Sequence, residues 1–258
     1  MARYKKRIFS GNILEQLVYN SREGCASSPE EREERFKDEE ARNKQNKKAA
    51  IRRLTRLLNT NFNYGGYYMT CTFAEERTPK SYKEARAAGK NYIRRIRRRY
   101  PDAKIVMIAG KNHSKRDAKK YHLHMVVSPD VPEEVLMELW LDGMILTNEA
   151  GHIPELREHN FYDGVDHGRD YRSLAIYLID HWMPEFGGKR WYQTRNMEKP
   201  EEEEPKKAAR YYDKEHPPRA PQGYRYVGFE DNGKYGFQRY TFAYIPEPYT
   251  RDKNVQKK

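Results

Sequence analysis

The segment Tyr121-His122-Leu123-His124-Met125-Val126-Val127-Ser128 alternates large apolar residues with polar ones. A period of two is typical of a half-buried β-strand, with its apolar residues on one face and both histidines on the other. Side chains two residues apart lie roughly 7 Å apart at Cβ, so His122 and His124 can converge on one divalent cation. Two histidines on a polar face are also common without a metal, in which case they simply face solvent.

The chain is strongly basic. Its 258 residues include 50 Lys and Arg against 38 Asp and Glu, a net charge of +12, which favours polyanionic partners such as nucleic acids. Cys25 and Cys71 are not spaced as metal ligands, which argues against a disulfide framework and fits a reducing compartment. No apolar run approaches ~18 residues and no signal-peptide core follows Met1, so we expect a cytoplasmic protein with no membrane partner.

Upstream of the strand over 121–128, the sequence predicts a basic arm followed by two helices and two strands. Residues 1–28 are basic and predict a loosely ordered arm with an apolar patch at 13–18. A capping box at Ser28 predicts the start of a long, highly charged helix, whose apolar stripe appears only near Leu54. The remaining elements are a strand over 67–73, a helix from Ser81 to Tyr100 and a buried strand over 103–109.

Downstream, a short helix is predicted over 132–141 and a more informative one over 169–182, while residues 142–168 are not assigned. Apolar residues follow a 3.6-residue period along the second helix, namely Tyr171, Leu174, Ala175, Leu178 and Trp182. Tyr177 lies about 120° from the centre of that stripe, and His181 follows it one turn later. Tyr177 is therefore not at a core position, although an ordinary boundary tyrosine would look the same.

The predicted fold class is α+β, with a central antiparallel sheet of about five strands and flanking helices, plus the long charged N-terminal helix and a C-terminal β-hairpin. The predicted organisation is an arm and helix start over 1–40, a main domain over 41–200, an acidic and Pro-rich linker over 201–222, a hairpin over 223–250 packed on the main domain, and a disordered basic tail over 251–258.

Two basic groups are candidates for DNA binding. They are Arg52, Arg53 and Arg56 on the long helix, and Lys189, Arg190, Trp191 and Arg195 in a basic, aromatic segment. A solvated surface would have the same composition.

Five stretches in this order resemble the HUH endonucleases, and most closely the rolling-circle replication initiators of filamentous phages and plasmids. They are residues 50–62 (AIRRLTRLLNTNF), 69–75 (MTCTFAE), 121–128 (YHLHMVVS), 175–178 (AIYL) and 194–200 (TRNMEKP). The resemblance extends from about Arg42 to about Ile245 and implies an HUH, or RRM-like, sheet.

The resemblance also implies an activity. His122 and His124 would hold Mg²⁺ or Mn²⁺, and Tyr177 would attack a phosphodiester of single-stranded origin DNA, often presented as a hairpin. The products would be a 5′-phosphotyrosyl link and a 3′-OH that primes replication; a later 3′-OH would reverse the step and rejoin the strand. A host helicase is an implied partner, the bacterial cytoplasm is the implied location, and no small-molecule cofactor is implied.

The chain departs from the family pattern beside the nucleophile. Asp180 stands where the family usually has a lysine, and His181 stands where some members have a second tyrosine, which favours a single-tyrosine enzyme. The strand over 103–109 offers no third metal ligand. The candidates for that ligand, or for a group that orients Tyr177, are Glu75, His113, Asp180 and His181.

Two alternatives stay open and a third is disfavoured. A relaxase or transposase of the same fold would use the same chemistry, whereas a catalytically inactive RRM-like nucleic-acid-binding module would use His122 and His124 only to face bases. A transcription regulator is disfavoured because no helix-turn-helix signal is evident.

Overall fold

The computed structural model describes residues 2–20, 39–111, 120–156, 170–182, 189–232 and 237–245. These residues form an α+β structure with antiparallel sheets and four α-helices, which confirms the predicted class. The chain divides into two compact units. The first contains Met1–Thr60, Asp166–Asp170 and Lys199–Lys258, and the second contains Asn61–Val165 and Tyr171–Glu198.

The described helices are α1 (Glu39–Asn61), α2 (Tyr82–Arg99), α3 (Glu133–Leu139) and α4 (Arg172–Asp180). The described strands are β1 (Arg3–Ser10), β2 (Ile13–Asn20), β3 (Tyr67–Thr72), β4 (Ile105–Lys111), β5 (Tyr121–Val127), β6 (Ile145–Leu146), β7 (Tyr192–Gln193), β8 (Glu201–Glu202), β9 (Lys206–Lys207), β10 (Tyr224–Asn232) and β11 (Phe237–Tyr244).

The second unit is built on a five-stranded antiparallel sheet in the order β6-β3-β5-β4-β7, which confirms the predicted central sheet. Strand β5 lies in the middle, and its Leu123, Met125 and Val127 pack in one core cluster with Tyr92 and Ile96 of α2. Because side chains alternate along a strand, His122 and His124 point to the opposite face. Helix α4 contributes Tyr177 and His181 to that opposite face.

Both faces of β5 are covered, so the prediction of a half-buried strand was wrong. His122 is 6% exposed and His124 is 2% exposed, values close to those of the apolar residues between them. The histidines are therefore not ordinary solvent-facing side chains of an amphipathic strand.

Helix α2 forms as its sequence predicts. The Ser81 hydroxyl accepts a hydrogen bond from the Glu84 backbone N–H, while the Glu84 carboxylate accepts one from the Lys80 backbone N–H. These contacts satisfy two donors near the helix start. Its buried stripe is Ala85, Gly89, Tyr92, Ile93 and Ile96, and the helix ends before Pro101.

The first unit contains a six-stranded sheet that the sequence analysis did not predict. Its order is β10-β11-β2-β1-β8, and β9 also pairs with β1. The prediction of a loosely ordered arm was therefore wrong, because β1 and β2 form a hairpin and β11 pairs with β2. The C-terminal hairpin itself was predicted, and it is part of this sheet.

A buried ion-pair network lies in this unit. Glu15 of β2 contacts Arg56 of α1 and Arg239 of β11, and Arg239 also contacts Glu230. Arg239 is 2% exposed, and its burial lowers the pKa of its guanidinium, while the two carboxylates act in the opposite direction. Helix α1 is thereby joined to the sheet by charge, and its Leu54 and Leu58 are fully buried.

The acidic run at 201–204 was interpreted as a linker. Its first two residues instead form β8, which pairs with β1, and the Lys6 ammonium donates a hydrogen bond to the Glu202 carboxylate.

Several predictions fall outside the described ranges: the cap at Ser28, the turn of the C-terminal hairpin and the basic tail over 251–258.

Candidate metal centre

Three histidines of the second unit converge. His122 and His124 come from β5 and His181 from the end of α4, and their potential ligand nitrogens lie within 4.8 Å of one another. The Nε2 atoms of His122 and His124 are 2.9 Å apart. Opposite nitrogens bound to one first-row ion are up to about 4.2 Å apart. The three imidazoles are therefore close enough to hold a metal ion after small side-chain shifts.

The His181 imidazole is held in the tautomer that metal binding needs. Its Nδ1 lies 2.8 Å from the Tyr177 backbone carbonyl oxygen, one helical turn earlier. A carbonyl oxygen only accepts, so Nδ1 carries the proton and donates it. In the neutral ring, this leaves the Nε2 lone pair available to a ligand.

Two hydroxyls of β3 fix the orientation of His124. The Tyr68 hydroxyl lies 2.6 Å from His124 Nδ1 and the Thr70 hydroxyl lies 3.1 Å from it. Both come from the strand beside β5, where Thr70 pairs directly with His124. Such partners behind a ligating imidazole set its ring orientation and leave its second nitrogen for the ion.

Burial lowers the pKa of His124 well below its ordinary value, and the neighbouring His122 and His181 lower it further. His124 is therefore neutral at neutral pH. A neutral imidazole is the form that coordinates metal ions.

A glycine allows the helix end to approach the strand. Gly110 of β4 pairs with His122, and a Cβ built at Gly110 would lie 3.1 Å from His122 Nε2 and 3.2 Å from His181 Cβ. Both distances are tighter than ordinary van der Waals contact. The absence of a side chain at position 110 is thus part of the geometry that brings His181 to the strand.

Tyr177 lies beside the histidines. Its ring centroid is 4.3 Å from that of His181, 5.3 Å from that of His124 and 6.3 Å from that of Tyr68. A cavity of about 290 Å³ brings these groups to solvent, and its lining includes Thr70, Thr72, Lys120, His122, His124, Tyr177 and His181. A phenol, three imidazoles and a lysine therefore share one cavity. This set of groups is suited to an anionic substrate.

The structure places the candidate third ligands in different positions. His181 is brought to His122 and His124. Glu75 and Asp180 are exposed, and neither belongs to this ligand group in the described part of the chain. His113 lies in a segment that the structure does not describe.

The predicted DNA-binding residues are in several environments. Arg53, Lys189 and Arg195 are exposed, whereas Arg56 is largely occupied by its ion pair with Glu15. The remaining three, Arg52, Arg190 and Trp191, are half-buried. The Arg190 guanidinium lies 4.7 Å from the centre of the Trp182 ring, and the Trp191 indole N–H donates to the Gln193 side chain.

Sequence reasoning missed Tyr68, Thr70, Gly110 and Lys120. The first two alternate along the strand predicted over 67–73, which was a usable signal for a shared face. Their relation to His124 depends on the strand register, and no local pattern in the sequence fixes that register.

Comparison of the chain with known protein families, characterised proteins and solved structures found no match. Among the described helices, none combines the length and the apolar composition that crossing a membrane requires.

Proposed function

We propose that this chain nicks single-stranded DNA by a metal-dependent tyrosine transesterification, as the resemblance to HUH replication initiators implies. The observation that carries the proposal is the shared cavity of Tyr177 with three histidines that can hold a metal ion. A tyrosine at a helix boundary has many structural roles. Tyr177, however, lies one turn before His181, a possible metal ligand, and faces two more histidines on a buried strand. A tyrosine in this position is suited to attack a phosphate bound at that centre.

The chemistry is a phosphodiester exchange. The Tyr177 hydroxyl oxygen bonds to phosphorus while the bond from phosphorus to the 3′-oxygen breaks. The phenol loses its proton and the leaving 3′-oxygen gains one. One phosphate ester replaces another, so a 3′-OH can later reverse the step and rejoin the strand. No oxidant, reductant or nucleotide cofactor is required.

The ligand set bears on the choice of ion. Mg²⁺ prefers oxygen ligands and retains several waters, whereas three neutral imidazoles suit a first-row transition ion. Of the two ions that the resemblance implies, Mn²⁺ fits these residues better. What such an ion supplies when bound is polarisation of the scissile phosphate and screening of the charge on its oxygens.

The structure supports a positioning role for the chain's own residues. Tyr68 and Thr70 hold His124, and the Tyr177 carbonyl holds His181. Lys120 is exposed and lines the cavity, where its ammonium group can attract the phosphate backbone.

Rolling-circle initiation at an origin, with a host helicase as partner, is the biological role that we propose for this activity.

Covalent capture tests the activity. Single-stranded oligonucleotides that tile the replicon encoding this chain are labelled, incubated with protein and Mn²⁺, and separated on a denaturing gel. We expect a protein band that carries label, is lost with a chelator and is lost in Tyr177→Phe.

The matched control is Tyr171→Phe, because the Tyr171 hydroxyl donates to the Phe62 carbonyl oxygen at 2.7 Å and its side chain is 1% exposed. Capture should survive in this variant. DNA binding without capture by the wild-type chain, across metals and oligonucleotides, would instead identify an inactive binding module.

A further inference from the structure

The solvent side of helix α2 carries a straight line of cations, which we call the basic stripe: Lys83, Lys90, Arg94 and Arg98. All four side chains are exposed. Their spacings of seven, four and four residues keep them within an arc of roughly 80° at about 100° per residue. Fifteen residues at 1.5 Å each make the stripe about 22 Å long.

The stripe is not neutralised by the chain. Arg95 and Arg99 on the same helix pair with Asp142 and Glu138. No carboxylate in the described part of the chain pairs with any member of the stripe. Glu84 is the single acidic residue of α2, and it is engaged at the cap with Ser81.

Folding alone gives no reason for this arrangement. Lys90, Arg94 and Arg98 follow one another at i, i+4, where like charges destabilise a helix by about 0.2–0.5 kcal/mol per pair. An ordinary solvated helix face mixes both signs and gains from such pairs. The packing of α2 depends on its other face, which fits the core with Tyr92 and Ile96.

We propose that the basic stripe binds the phosphate backbone of a DNA duplex. Cations in a line contact phosphates without reading sequence. Platforms for unpaired bases need exposed aromatic side chains on which the bases stack. Tyr82 and Tyr92 of α2 are not exposed, and Tyr192, whose ring centre lies 5.6 Å from Lys90 Nζ, is half-buried. The stripe therefore suits a paired partner better than a single strand. That the nucleic acid is DNA rests on the proposed function.

The stripe and the metal centre lie on opposite faces of one sheet. Helix α2 packs on the face of Leu123 and Met125, and the cavity opens on the face of His122 and His124. Duplex binding at the stripe can therefore be lost while the cleavage chemistry is kept.

Salt-dependent binding tests the proposal. The affinities of a fluorescent 20-base-pair duplex and a 20-nucleotide single strand are measured in chelator, across a series of salt concentrations, for the full-length chain. The test variant is Lys83→Gln, Lys90→Gln, Arg94→Gln and Arg98→Gln combined. The matched control changes four exposed cations of the first unit to Gln, namely Lys206, Lys207, Lys214 and Arg219.

Each phosphate contact contributes about 0.9 to the slope of log K against log salt concentration. We expect the duplex slope of the test variant to fall by about 3.6 and that of the control by less than about 1. The single Arg94→Gln change should lower the slope by about 0.9 and serves if the quadruple variant does not fold. Capture of a single strand through Tyr177 should remain, so failure here is separable from failure of the proposed function.

Three results would overturn the proposal. An unchanged duplex slope in the folded test variant would leave the stripe as a solvated surface. Equal losses of slope in the test and control variants would show that the effect depends only on the net charge of the chain. A loss confined to the single strand would assign the stripe to unpaired nucleic acid.

Discussion

Replacing Tyr68 with Phe tests whether the hydroxyl behind His124 sets the affinity of the metal centre. The change keeps the ring, and with it the packing against His124 at 5.8 Å and against Tyr177 at 6.3 Å between centroids. It removes only the oxygen that lies 2.6 Å from His124 Nδ1. The Thr70 hydroxyl, at 3.1 Å, remains as a weaker partner.

The expected loss follows from that geometry. Removing an outer partner of a ligating histidine lowers metal affinity by about 10- to 100-fold. Because Thr70 remains, we expect about 10-fold for Tyr68→Phe, or about 1.4 kcal/mol. Adding Thr70→Val leaves the buried Nδ1 without either hydroxyl, and the combined loss should approach 100-fold.

The assay is a titration of the chain with Mn²⁺, followed by calorimetry or by the paramagnetic signal of the free ion. Tyr171→Phe is the matched control, because its buried hydroxyl also makes one hydrogen bond, to the Phe62 carbonyl oxygen. Both variants should lose about 1 kcal/mol of stability, but only Tyr68→Phe should lose metal affinity.

Two outcomes would refute the reasoning. An unchanged Mn²⁺ affinity in the Tyr68→Phe and Thr70→Val double variant would show that packing alone orients His124. An equal drop in Tyr171→Phe would show a general loosening of the unit and no specific role for the hydroxyls.

Three further perturbations have defined outcomes. Gly110→Ala places a methyl group 3.1 Å from His122 Nε2 and should cost about 1–3 kcal/mol in urea unfolding as well as metal affinity. Mn²⁺ at about 100 times its Kd should stabilise the chain by about 2.7 kcal/mol in thermal unfolding, and His181→Ala should remove most of that gain. Glu15→Gln leaves the buried Arg239 with Glu230 as its remaining carboxylate partner and should cost about 2–4 kcal/mol in urea unfolding.

The glycine and glutamate substitutions each have a control variant. Gly228→Ala meets its nearest atom at 3.9 Å and should change little. Glu202→Gln breaks an exposed pair with Lys6 and should cost no more than about 1 kcal/mol. A full Mn²⁺ stabilisation in His181→Ala would remove that residue from the ligand set. A Glu15→Gln cost as small as that of Glu202→Gln would show that the network contributes no more than a surface pair.

The elements that place the site were predictable because their signals are local. The alternation around His122 defines β5, the capping box at Ser81 defines the start of α2, and the 3.6-residue stripe around Leu174 defines α4. Each signal uses residues within two turns or one strand. Local chemistry therefore predicted where Tyr177 and the two histidines fall on their own elements.

The residue that joins His122 and His124 was harder to predict. Glu75, His113, Asp180 and His181 all stayed open as a third ligand or an orienting group, because the choice depends on how α4 crosses the sheet. Gly110 decides part of that crossing by letting the end of α4 approach β4. Such a close approach is a tertiary property, and a lone glycine in a buried strand does not specify it.

The sheet of the first unit was missed for a physical reason. Strand β1 is rich in Lys and Arg, which we interpreted as a solvated arm, but the side chains of residues 3–7 are half-buried. Long cationic side chains can pack their stems while their charged ends reach polar partners, as Arg3 does with Gln238. Pairing of β2 with β11 joins residues more than two hundred positions apart, and sequence periodicity carries no information on that pairing.

The most direct test of the central claim is to identify the residue that carries DNA. The covalent product is digested with nuclease and trypsin, and the modified peptide is sequenced by mass spectrometry. Cleavage after Arg172 and Lys189 gives a peptide of residues 173–189 in which Tyr177 is the only tyrosine. We predict a nucleotide on this peptide, formed only with a divalent metal. A nucleotide on the peptide of residues 170–172, which contains Tyr171, or no modified peptide when origin DNA is demonstrably cut, would contradict the account.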